Sequence, residues 1–157
     1  MIIDLTHYIE EGMPVYPGTR EPKLDIPFTV EEHGFQETSL DILSHLGTHL
    51  DCPAHLIKEG LCTDTMPLDT FIGEGVVIDC SNYPPGSEID VEVIRPHMET
   101  IEKVDFILFY TGWSSKWGKD EYFDAFPVPS RALAKKFTTL DFLDMKTLYL
   151  IIILFKL

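Results

Sequence analysis

Two short apolar runs, Val76-Val77-Ile78 and Phe106-Ile107-Leu108-Phe109-Tyr110, constrain the fold of this chain more than anything else in it. Glycines and the turn Ser81-Asn82-Tyr83-Pro84-Pro85-Gly86 bound the first run, and Thr111-Gly112 closes the second, so both predict short buried β-strands. Between them residues 90–103 predict a helix apart from Pro96, and strand, helix, strand in succession implies an α/β sheet. Ile2 to Leu5 predicts a further strand leading into a long ordered loop rich in proline, since Pro14, Pro17, Pro22 and Pro27 each fix φ and remove a donor. Glu37 to Leu43 alternates as a strand does and runs directly into Ser44–His55. Arg131 to Phe137 predicts a helix with Ser130 as its cap.

The chain has 157 residues and a net charge of −14, which suits one globular domain of ordinary composition with a further C-terminal segment. That charge opposes binding to phosphate backbones and anionic headgroups, so nucleic acid is excluded as an expected partner. The apolar run Leu148 to Phe155 is too short to span a membrane, which takes ~20 residues. It reads either as a fully buried central strand or, left uncovered, as an aggregation segment. Three cysteines, Cys52, Cys62 and Cys80, leave one unpaired in any disulfide scheme and form no CxxC pair; Cys52 and Cys62 read as small buried apolar residues. With acidic residues and no long apolar stretch near Met1, the expected compartment is reducing and cytoplasmic.

The chemistry concentrates in one place. Of six histidines, His45, His49 and His55 lie within eleven residues, with Asp51 between the last two. A single histidine is ordinarily a hydrogen-bonded residue at a strand end or in a loop. Three of them beside a carboxylate favour a ligand set, with His45, His49 and Asp51 as donors suited to a divalent zinc or manganese ion. A strand would hold His45 and His49 ~13 Å apart, and a helix would turn Asp51 away from both. A tight irregular turn can gather them, with Gly47 supplying unusual φ and Pro53 blocking a helix. A Ser-His-Asp nucleophile is the weaker reading, because Ser39 and Ser44 lack a GxSxG elbow.

The run His45-Leu46-Gly47-Thr48-His49-Leu50-Asp51-Cys52-Pro53-Ala54-His55 resembles the HxGTHxDxPxH signature of the cyclase-like metal-dependent hydrolases, the family of bacterial kynurenine formamidase and isatin hydrolase. Asp4-Leu5-Thr6, Gly12 to Gly18, Leu68 to Gly75, and Thr111-Gly112-Trp113 with Trp117, Tyr122 and Phe123 downstream support the resemblance, which spans about residues 1–137. It implies an α/β fold of the swivelling β/β/α type with a mixed sheet, assembled as a homodimer or homotetramer. It implies His45, His49 and Asp51 as metal ligands and His55 as the proton-transfer residue. Hydrolysis of a small amide, formamide or cyclic amide by a metal-activated water follows, with Thr48 contributing a hydrogen bond behind the ligands.

The aromatic of the family's Pro-x-aromatic-Pro-Gly stretch is Tyr16 here, implied to bind substrate; packing within the proline-rich loop is its plainer reading. Formamidases carry Trp at that position, and the Tyr hydroxyl implies a substrate other than formylkynurenine. Trp113, Trp117, Phe123 and Phe126 read as core or interface aromatics, and His97 as a surface residue. Beyond residue 137 the sequence departs from the family pattern: the further histidine and glutamate that complete a second metal site have no counterpart. The resemblance therefore implies a domain over 1–137, an atypical apolar tail over 138–157 and an incomplete C-terminal part of the fold. A non-catalytic metal- or ligand-binding protein is the alternative to an enzyme.

Overall fold

A computed structural model describes residues 1–139. Both apolar runs form strands: β3 (Gly75–Asp79) and β5 (Phe106–Tyr110) pair in parallel, Val77 opposite Leu108. Their burial is one-sided. Ile107 and Phe109, two residues apart on one face of β5, are fully enclosed, whereas Val77 on β3 is 51% exposed. Ile78, Ile107 and Phe109 join Cys80, Ile89, Ile94, Ile101, Leu133 and Phe137 in one cluster. Burial, aided by the neighbouring Asp79 charge, pushes the Cys80 thiol up to about 11.

The connection from β3 to β5 carries β4 (Glu88–Ile89), a 3₁₀ stretch over Val91–His97 and the one-turn helix α2 (Met98–Ile101). The helix expected over 90–103 is thus mostly 3₁₀. Pro96 lacks the N–H that α-helical bonding needs, and α-helix starts only at Met98, beyond it. Asp90 caps the stretch through Glu92 N at 3.3 Å. β4 pairs in parallel with β6 (Val128–Pro129), which leads to α3 (Arg131–Thr139). Ser130 caps α3 as expected: its Oγ accepts from Leu133 N at 3.1 Å. Leu133 and Phe137, one turn apart, face the cluster.

The N-terminal third differs from expectation. Ile2 to Leu5 forms no strand, because no neighbouring strand pairs with it, and residues 1–10 have no regular structure. Instead, the loop region contains β1 (Lys23–Phe28), antiparallel to β2 (Glu37–Asp41), with the short helix α1 (Val30–His33) between them. The register shifts between Asp25 and Phe28, where Pro27 cannot donate to the ladder. The tail expected over 138–157 lies, from residue 140 onward, outside the described residues. Among those described, no helix is long and apolar enough to cross a membrane.

Candidate metal centre and adjoining pocket

β2 delivers the chain into an irregular turn whose pivot is Gly47, at φ +58°, a conformation that L side chains resist. Through that pivot the rings of His45 and His49 come within 4.2 Å, centroid to centroid. The His49 Nδ1 lies 2.8 Å from the Gly47 carbonyl, which can only accept, so Nδ1 is the donor in that contact and, in the neutral ring, Nε2 is the acceptor. His45 Nδ1 lies 2.7 Å from His49 Nε2 and 2.9 Å from Asp51 Oδ1. One donor atom from each of His45, His49 and Asp51 falls within 4.8 Å of the others. Two imidazoles and a carboxylate converging on one point form a donor set that fits zinc or manganese.

His55 reaches the same place from a 3₁₀ turn, Pro53–His55, that begins at the proline expected to end helical continuation. Its ring stacks on His45 at 4.8 Å and 9° from parallel, outside the donor trio. This turn is held by Ala54 N donating to Leu61 O at 3.1 Å. Gly60 permits the closure, since a Cβ there would sit 2.6 Å from the carbonyl carbon of Pro53.

A partly open cavity of about 210 Å³ adjoins the histidines and is lined by His45, Thr48 and His49 on one side. Tyr16 lies on its border, 58% exposed and edge-on to Phe123 at 5.9 Å. The Tyr16 loop is tied to the hairpin by Leu24 N donating to Glu11 Oε1 at 2.9 Å and by the Arg20–Asp41 ion pair at 2.7 Å. The Thr48 hydroxyl, expected to bond behind His45, His49 and Asp51, instead accepts from the backbone N of His7 at 3.2 Å.

Three aromatics expected in the core or an interface, Trp117, Phe123 and Phe126, line this cavity, together with Tyr122. Only Trp113 is buried as expected, donating through Nε1 to Tyr122 O at 2.9 Å. Burial pushes the Tyr122 phenol up to about 12, so it remains neutral. The missed signal was density: Trp117, Tyr122, Phe123 and Phe126 crowd a stretch with no helical or strand period that could aim them all at a core. Cys62 is exposed, Cys52 half-buried and His97 half-buried, against the expectations of buried thiols and a surface histidine. The 3₁₀ turn Thr63–Thr65, which Cys62 precedes, buries none of its residues.

The chain belongs to the Cyclase family, described as "Putative cyclase", whose family model matches residues 3–142. The kynurenine formamidase of Erythrobacter litoralis is 31% identical over 121 residues, covering 74% of this chain and 55% of that protein. Isatin hydrolase A from Ralstonia solanacearum superimposes with a TM-score of 0.74 at 20% identity, over 87% of this chain and 62% of that one. A structure described as a "Potential Metal-Dependent Hydrolase With Cyclase Activity" gives a TM-score of 0.65 at 28% identity, over 85% and 60% of the two chains. The α/β architecture is therefore the cyclase-like fold. The chain spans about half the length of the curated relatives it matches.

Proposed function

We propose that the chain carries the metal-binding and proton-transfer half of a hydrolase acting on a small amide, formamide or cyclic amide. In this reading His45, His49 and Asp51 hold a divalent zinc or manganese ion and His55 moves the proton. The observation that carries it is the convergence of the three donors beside an aromatic-lined cavity. Relatives named kynurenine formamidase and isatin hydrolase support the choice of amide chemistry.

The chemistry such an ion supplies when bound is activation of water and polarisation of a carbonyl. The rest falls to the chain. The Gly47 carbonyl holds His49 in the tautomer that leaves Nε2 free to bind. Asp51 accepts at the same point as His45 and His49 and so balances positive charge there. His55, stacked on His45 and exposed, is placed to take a proton from water and return it to the leaving nitrogen. Tyr16 and the cavity aromatics offer flat apolar surfaces to the organic part of an amide.

The test is metal content per chain, measured after purification without chelator, alongside hydrolysis of formanilide and a cyclic aryl amide. His49→Ala is expected to lose the metal, whereas His55→Ala is expected to keep it and lose about 10²- to 10⁴-fold in turnover. Equal metal loss in both variants would overturn the division of roles. Metal bound with no hydrolysis by the unaltered chain would replace the enzyme with a metal-binding protein.

A further inference from the structure

His7 lies outside the signature and outside the cavity lining, yet it touches both halves of the site. Residues 1–10 form no strand or helix, and only Leu5 and His7 among them are half-buried. The backbone N–H of His7 donates to Thr48 Oγ1 across a separation of 41 residues. Its imidazole lies flat on the indole of Trp117, centroids 3.9 Å apart and planes 5° from parallel. Trp117 and Thr48 line the cavity and His7 does not.

Trp117 needs such support. It follows a 3₁₀ turn, Trp113–Lys116, and precedes Gly118 at φ +80°, so no regular element fixes its ring plane. Tyr122 meets it edge-on at 4.8 Å and 86°. A ring packed against one face and a second at right angles leave the indole a single orientation, and removing the flat partner opens a gap into which it can turn.

We propose that His7 is a positioning residue of the substrate pocket: it braces Trp117, and Thr48, next to His49 in the turn, fixes His7 in place. The N-terminal segment thereby sets the shape of a wall whose other members come from the far end of the domain. As far as substrate is concerned, the proposal rests on the hydrolase reading above; the bracing of Trp117 does not.

The experiment compares the unaltered full chain with His7→Ala, His7→Phe and Thr48→Val, and uses Trp117→Phe to assign the Trp117 part of the near-ultraviolet circular dichroism. Metal per chain, the dichroism spectrum, and KM and kcat for formanilide are measured on each. Expected for His7→Ala is loss of the Trp117 band and a rise in KM of about three- to tenfold with kcat within about twofold, the pattern of lost uniform binding. Metal content should not change. His7→Phe, which restores a flat ring, should recover both the band and KM, and Thr48→Val should fall between. An unchanged band in His7→Ala would overturn the proposal, as would equal defects in His7→Ala and His7→Phe. Absence of turnover in the unaltered chain would remove the hydrolase reading alone, because the dichroism comparison still decides the role of His7.

Discussion

The stretch from Ile78 to Phe137 supplies every member of the main buried cluster, while the stretch before it supplies His45, His49, His55, Asp51 and Tyr16 and buries little. Every residue of β2 is exposed, and the buried apolar residues before β3 are scattered: Met13, Leu46 and Met66. The first region is held by packing and the second by backbone conformation and single tethers, such as Glu11 to Leu24, Arg20 to Asp41 and Ala54 to Leu61. The candidate donor cluster and the packed core thus occupy different parts of the chain, joined at the cavity whose aromatic wall comes from the packed stretch, so the donor side can be damaged without the core.

Phe109→Ala should test this contrast most severely. Phe109 is fully buried, so its truncation should cost ~3–5 kcal/mol and lower the urea midpoint, taking site and core down together. Survival of the fold with little change would show that the cluster is not the stabilising centre. Thiol labelling at pH 8 should separate the regions without mutation. Cys80, buried and with its thiol pushed up to about 11, is only about a thousandth thiolate at that pH, while Cys62 is exposed. Cys62 should therefore react at least about 100-fold faster, and Cys80 should become labelled only as the core opens.

Gly60→Ala should act on the site side alone. Its Cβ would press on the Pro53 backbone, so a cost of ~1–3 kcal/mol is expected, with displacement of His55 and slower turnover. Metal content would stay near that of the unaltered chain, which a paired metal and activity measurement checks. The smallest effect belongs to Arg20→Ala. Both partners of its ion pair are about half exposed, so the melting temperature should move by an amount equivalent to less than ~1 kcal/mol. A larger loss would mean that the Tyr16 loop contributes more to the fold than its exposure implies.

The packed region was the more legible from sequence. Apolar runs bounded by turns gave β3 and β5, and a serine ahead of a 3.6-residue pattern gave α3 with its cap, because local preference and burial agree there. Ile2 to Leu5 carries the composition of a strand, but composition cannot supply a hydrogen-bonding partner. Residues 90–103 follow a helical pattern, and Pro96 tightened the chain into 3₁₀ geometry instead of merely interrupting an α-helix. In the candidate site, the need for an irregular turn at Gly47 could be reasoned from the failure of both regular elements to gather the donors. The cavity could not, since Trp117, Tyr122 and Phe126 meet residues 45–49 only through tertiary packing.

The donors His45, His49 and Asp51 sit on one short stretch, whereas the contact of His7 with Thr48 spans 41 residues. Closing a short loop costs little chain entropy and takes well under a microsecond, while a distant contact must wait for the intervening chain to collapse. During folding the turn that gathers these three side chains therefore forms early, before the pocket beside it exists. The same long-range contact governs opening of the native state: the amide of His7, held by Thr48 from a segment with no regular structure, should exchange whenever that segment frays, and the wall it supports is lost in the same event.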